Sequence, residues 1–303
     1  MQSEMCRAFR AILSSTVTIG AVGVAAVNAN LAGFSSVSGG PVSIVRGGTT
    51  VGFAVSIQSG IDAALAGDVL EISAGTYAEA ITVSKSLTLR GPNAGKSGTD
   101  ATRGAEAVIM SPAGMMASYD DVAYVVTVPS SVSGVIFDGL MVNGDNPLTT
   151  SPFTANGANP DADEGISITG DGAIVRNCVV KNIFQFGISM GATSAASARF
   201  GEVTDNYLEN IPYWAAILAY DSYYAEISGN TIVNAWRGVQ ADNHYLAVPE
   251  VRPRRFRTTR SRRAFRRSLA TRPTRTTTAF CTTCSTAPQC GRSRTTRSRT
   301  LRC

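Results

Sequence analysis

The chain of 303 residues contains one histidine, His244, and two tryptophans. A single histidine excludes any metal centre built on several imidazoles. Between residues 30 and 248 there is one cysteine, Cys178, so no disulfide can close within that stretch and packing must hold it. Glycine is nearly absent after residue 248, where Gly291 stands alone among the 29 of the chain, and lysine is missing there altogether. Apart from residues 11–27, no run is apolar enough to cross a bilayer.

Charge is segregated as strongly as glycine. Residues 1–248 carry 11 Lys and Arg against 21 Asp and Glu, whereas residues 249–303 carry 16 Arg against one acid, Glu250. The overall +5 therefore describes neither part. The N-terminus has the pattern of a secretory signal. Arg7 and Arg10 precede an uncharged apolar and small stretch, and Val27-Asn28-Ala29 offers small residues for cleavage after Ala29. This predicts a secreted protein, extracellular or periplasmic, with a signal over 1–29, a linker over 30–48 and no membrane association after cleavage.

The Arg/Thr-rich stretch 249–303 has no apolar period, and 13 Thr join its 16 Arg. Two readings give it a function: a basic arm for nucleic acid, or zinc held by Cys281-x-x-Cys284. A displaced reading frame explains more. Arg-Thr-Thr-Arg-Ser-Arg occurs at 257–262 and again at 294–299. Read one base upstream, codons for that string can spell Asn-Asn-Thr-Ile, which resembles Gly229-Asn230-Thr231-Ile232. Residues 249–303 are therefore expected to be a frameshifted, unfolded tail, and no nucleic-acid partner is expected.

The body repeats. Segments beginning at Ile174, Val203 and Ile227 share an apolar residue, a polar residue three later (Asn177, Asn206, Asn230), a short apolar run and a final Asn (Asn182, Asn210, Asn234). A fourth begins at Val135. Each is followed by a second strand, starting at Gly165, Gly187, Ala216 and Gly238, at intervals of 22, 29 and 22 residues. Strands so short cannot stand alone, and alternate residues must stack on their equivalents one coil away. Ile166, Ile188, Ile217 and Val239 should form one buried file, and Asn177, Asn206 and Asn230 a stacked amide ladder. Upstream, Ser56 caps a short helix with Ile57, Ile61 and Leu65 on one stripe and Gly67 ending it, placed to cover the open end of the stack. Strands follow over 69–72, 80–83 and 87–90. The fold class is all-β, a single-stranded right-handed parallel β-helix over 49–248 with an N-terminal capping helix.

The capping helix, the stretch from Asp68 to Val83 and Leu87-Thr88-Leu89-Arg90-Gly91 resemble the first coil of pectin-lyase-like β-helix proteins. Gly75-x-Tyr77-x-Glu79 is similar to the first conserved block of pectin methylesterases. With the repeats, the resemblance covers about residues 50–245. It implies the fold. It carries over no catalytic residues, because the later methylesterase blocks and the Gly-His-Gly block of polygalacturonases are missing.

Candidate chemistry comes from the outward columns of the second strand. One column holds Glu164, Phe186, Ala215 and Arg237. The next holds Ser167, Ser189, Leu218 and Gln240. The third holds Thr169, Gly191, Tyr220 and Asp242, with Asp221 and His244 just beyond. Such a face suits an extended polysaccharide, with Tyr220, Gln240, Glu164 and His244 as binding residues. Arg237, Asp242 and Asp221 are the catalytic candidates for uronate lyase or hydrolase chemistry. The acidic run Asp161-Ala-Asp163-Glu164, after the Gly/Asn/Pro/Thr-rich loop 143–160, makes Ca²⁺ the one cofactor to consider. The competing reading is a non-catalytic structural or adhesin-like β-helix. An enzyme should gather Arg237, Asp221 and Asp242 in one concavity; a spacer should scatter them.

Overall fold

The computed structural model describes residues 39–119, 123–191, 198–222 and 224–241, and the backbone alone of 242, 255–257 and 260–262. The signal segment, His244 and the tail cysteines lie outside these residues. So does most of the tail.

A hairpin opens the described chain: β1 (Val42–Arg46) pairs antiparallel with β2 (Thr49–Ala54). The linker expected over 30–48 thus contains a strand. Alternation of Val42 and Ile44, both buried, with partly exposed neighbours supplies its period of two. The helix α1 (Ile57–Ala63) follows. Ser56 caps it, accepting from Ser59 N–H at 3.1 Å, while Ser59 Oγ takes the Ser56 N–H in return. Ile57 and Ile61 are buried, but Leu65 is exposed, which corrects the expected three-residue stripe. The helix stops at Ala63 because Asp68 draws the Leu65 N–H into a turn at 2.8 Å.

Gly75-x-Tyr77-x-Glu79 serves this cap. The two carboxylate oxygens of Glu79 accept the N–H groups of Ile57 and Gln58 at 3.0 and 2.9 Å, where the helix dipole is positive. Tyr77 is buried and donates its hydroxyl to Ser73 O at 2.8 Å.

Beyond the cap the chain is mostly β, laid down in parallel files, one strand per file per coil, as in a β-solenoid. The first file is β3 (Val69–Ile72), β6 (Thr88–Arg90), β9 (Ile136–Asp138), β12 (Ile174–Arg176), β15 (Glu202–Thr204), β17 (Glu226–Ser228) and β19 (Arg255–Arg257). The second is β4 (Gly75–Ala78), β7 (Ala107–Met110), β10 (Met141–Asn143), β13 (Val179–Lys181), the first parts of β16 (Tyr207–Tyr220) and β18 (Thr231–Asp242), and β20 (Arg260–Arg262). The third is β5 (Ile81–Thr82), β8 (Tyr124–Val128), β11 (Glu164–Ile168), β14 (Phe186–Met190) and the second parts of β16 and β18. In β16 and β18 the corner between the second and third files is shallow enough for the strand to run through it, with a register irregularity between Ile211 and Ala215.

The tail was expected to be unfolded, but β19 and β20 extend the first and second files. Phe256 falls in register with Ile227, and Arg260 and Ser261 with Thr231 and Ile232. An open strand edge presents unpaired N–H and C=O groups to whatever chain follows.

Ile81, Val126, Ile166, Ile188, Ile217 and Val239 pair coil over coil. The first five are buried, and Val239 packs against the same core. The amide ladder differs from the expected one. Register aligns Phe137, Val175, Val203 and Ile227, which sets Asn206 and Asn230 over Cys178 rather than Asn177. Asn206 Nδ2 donates to Asn230 Oδ1 at 2.9 Å, and Cys178 N–H donates to Asn206 Oδ1 at 2.8 Å. Asn177 instead occupies the preceding bend at φ 56°, equivalent to Asp205 at 55° and Gly229 at 66°. Small polar residues and glycine are the ones that tolerate this geometry. A second ladder, not expected, joins the next corner: Asn210 donates to Asn182, and Asn182 to Asn143, at 2.9 and 2.8 Å.

Candidate functional site

The site is built on the third file and the corner that precedes it. Tyr124, Glu164, Phe186, Ala215 and Arg237 pair in register up the start of the third file. Glu164 is partly exposed. Its carboxylate accepts from Ser189 Oγ and lies along the serine column. Burial pushes the Glu164 carboxyl up from its ordinary range, and the Ser189 and Ser167 hydroxyls pull it partly back. Tyr124 is pushed up to about 12, by burial first and then by the Glu164 and Asp163 carboxylates.

The column Ser167, Ser189, Leu218 and Gln240 was expected to form an open groove. It does pair coil over coil, yet all four residues are buried. Long side chains of the neighbouring column reach over its two ends. Glu164 bends over the serines, and Arg237 donates to Gln240 Oε1 at 2.6 Å.

Arg237 also sits over the Trp214 ring, 5.7 Å from its centroid. Tyr220 and Asp242 pair at the far end of the same strands, and Asp221 follows, buried, at φ 47°. Arg237 lies five residues before Asp242 along β18, about 16 Å of extended strand. The three catalytic candidates thus do not converge: Arg237 is at one edge of the face and Asp221 and Asp242 are at the other. His244 falls outside the described residues.

The acidic run divides by role. Asp163 is wholly buried and takes the N–H groups of Ser118 and Ala123 at 3.1 and 2.9 Å, plus Gln185 Nε2 at 3.2 Å. It fastens the segment before β8 to the corner. Among the described residues no three acidic, His or Cys side chains converge as a metal centre.

Sequence reasoning missed the most conspicuous feature, an aromatic ridge at the corner between the second and third files. Phe153 stacks on Phe184 with centroids 3.7 Å apart, and Phe184 stacks on Tyr213 at 4.9 Å. Tyr119 stands edge-on to all three, at 4.9 to 5.3 Å. Trp214 continues the ridge, 5.8 Å from Tyr213 and 5.9 Å from Phe186. Tyr119 is 59% exposed, Trp214 38% and Tyr213 37%, a large solvent-facing area for rings that could have been packed inward. The sequence signal was available: Phe184-Gln185-Phe186 and Tyr213-Trp214 occupy the same place in successive coils. Phe153 and Tyr119 come from loops, and no period announces them.

No curated protein matches the chain. A family model described as a protein of unknown function (DUF1565) matches residues 48–252, two thirds of the sequence, and the chain belongs to that family.

Proposed function

We propose that this protein is a secreted, right-handed parallel β-helix of the pectin-lyase-like kind that binds an extracellular polysaccharide across its third file. The observation that carries this reading is the exposed ridge of Tyr119, Tyr213 and Trp214. The C–H face of a pyranose ring is apolar and carries partial positive charge, so it stacks on the negative face of an aromatic ring. Tyr213 and Trp214 stand side by side on one coil, with Tyr119 and the partly exposed Phe186 flanking them, so the rings offer a broad stacking surface to a polymer lying across the corner. Glu164 and Arg237, at the edge of that surface, supply the polar groups that orient hydroxyls or an acidic sugar.

Binding without cleavage fits the arrangement best. Lyase chemistry needs Arg237 beside the acids, and it is separated from them along the strand. Hydrolysis needs only the pair Asp221 and Asp242, which share one edge, but Asp221 is buried there rather than open to a sugar. A purely structural coil is the second reading, favoured by the neutral, buried column Ser167–Ser189–Leu218.

Affinity electrophoresis of the protein through a panel of neutral and uronate polysaccharides tests the proposal. At least one polymer should retard it. Each exposed ring contributes about 1 kcal/mol, so the double variant Tyr213→Ala/Trp214→Ala should weaken retention about tenfold or more at a temperature where it is still folded, although it melts lower because both rings also pack on neighbours. Retardation by no polymer would sink the binding reading and leave the structural one. Appearance of unsaturated products would restore the enzyme.

A further inference from the structure

The loop between β10 and β11 covers a polar interior. Asp161 is fully buried, and its Oδ2 accepts the Asn146 N–H at 2.7 Å. Its other oxygen, Oδ1, has no partner. Ser111, at the end of β7, is also fully buried, and its Oγ has no partner either. One residue ties the two together: the Asn146 side chain donates to the Ser111 carbonyl at 2.7 Å while the Asn146 backbone holds Asp161. The two orphan oxygens do not bond each other, so they are separated by more than hydrogen-bond reach.

Such groups are expensive. A buried polar atom without a partner costs about 1–3 kcal/mol, and more when charged. A second carboxylate worsens the imbalance. Asp145 adjoins Asn146, accepts the Asn159 N–H at 3.2 Å, and repels the Asp161 charge. Burial, and then Asp145, push the Asp161 carboxyl up to about 6 although the Asn146 N–H opposes them. None of the ion pairs among the described residues brings an Arg or Lys to either acid.

We infer that this interior binds a hard divalent cation, Ca²⁺, between Asp161 Oδ1, Ser111 Oγ and the Asp145 carboxylate. All three donors are oxygen, the set that Ca²⁺ takes and that softer metals do not prefer. Backbone carbonyls and water complete such a shell, since Ca²⁺ accepts six to eight oxygens in irregular geometry. A buried water alone would satisfy the two orphans, but it would leave the buried Asp161 carboxylate uncompensated next to the half-buried Asp145. The acids that adjoin Asp161 in sequence are not ligands. Asp163 is engaged by three N–H donors and Glu164 by serine. The ion would fasten the loop that carries Phe153, and the inference holds whether or not the ridge binds sugar.

The full-length protein, stripped with EDTA, is titrated with CaCl₂ by calorimetry and melted with and without the ion. One Ca²⁺ per chain and a higher melting temperature are expected, with a smaller rise for Mg²⁺, whose strict octahedral shell this set suits poorly. Asp161→Asn should lose both the heat and the shift, and Ser111→Ala, the gentler variant, should weaken binding while the protein stays folded. Absence of binding in the wild type, or an undiminished response in both variants, would overturn the inference. So would an Asp161→Asn protein that is more stable than the stripped wild type when the wild type shows no calcium response. That result would assign the pocket to a protonated carboxyl and a water.

Discussion

Asn206 donates its side-chain amide to Oδ1 of Asn230, its equivalent one coil away, at 2.9 Å. The same Asn206 also donates to Val175 O at 2.9 Å and accepts the Cys178 N–H at 2.8 Å, all inside the coil. One side chain thus satisfies backbone groups of the coil before it and an amide of the coil after.

Removing it should therefore cost more than one hydrogen bond. Asn206→Ala leaves buried donors and acceptors unpaired, each worth about 1–3 kcal/mol. The melting temperature should fall clearly. The fall should exceed that from Asn156→Ala, which breaks a single side-chain bond to Asn210 from an exposed loop residue.

Gly139 tests how tightly the coils are laid. It lies at φ 71°, and a Cβ there would come within 2.0 Å of Ala94 N and 2.2 Å of the Asn93 carbonyl carbon. The obstruction is backbone, which cannot swing away. Gly139→Ala should destabilise by more than about 2 kcal/mol, beyond the usual cost of losing a left-handed glycine. Gly157→Ala, also at positive φ but with open space around it, should cost only the conformational part.

Acid should loosen the first file through Asp138. Burial pushes its carboxyl up, but bonds from Asn177 Nδ2, the Gly95 N–H and Arg176 outweigh this, and the net shift is downward. A carboxyl whose folded pKa lies below its unfolded value stabilises above the unfolded value. It loses that contribution as pH falls through the folded one. Melting temperature should thus decline below about pH 4, and the decline should be shallower in Asp138→Asn. Equal acid limbs in the two proteins would show that other carboxylates dominate.

The register of β20 bears on the displaced reading frame. The protein places Arg260 and Ser261 opposite Thr231 and Ile232, the second of which is buried. Read one base upstream, codons for this stretch can place Thr and Ile at those same two positions, preceded by Asn-Asn. A serine is a poor successor to a buried isoleucine; an isoleucine continues the file. Sequencing the gene around codon 249 should reveal codons compatible with that peptide. The protein from the restored frame should melt higher than the one described here. Codons that cannot spell Asn-Asn-Thr-Ile would end the proposal.

How far the sequence could be read depended on periodicity. The file Ile166–Ile188–Ile217–Val239 was legible because a coil imposes the same inward demand on each repeat. Where two neighbouring residues are both apolar, as at Ile174-Val175, the period is ambiguous by one. That single step moved the ladder from Asn177 to the Cys178 position and put Asn177 in the bend. The hairpin of β1 and β2 escaped notice because it precedes the repeat and shares none of its pattern.

The amino-acid sequence alone determined the coil: short apolar strands recurring at 22 to 29 residues can bury their faces only by stacking. It also marked where the pattern stops, near residue 249. Tertiary structure decided the surface. Loops brought Tyr119 and Phe153 onto Phe184 and Tyr213, and long side chains reached over the two ends of the column expected to lie open. It also linked Ser111, through Asn146, to a loop residue, Asp161, 50 positions away. Periodic burial is a local demand repeated in every coil, so it is written in the sequence. Loop placement depends on contacts between segments with no shared period, so only the folded chain displays it.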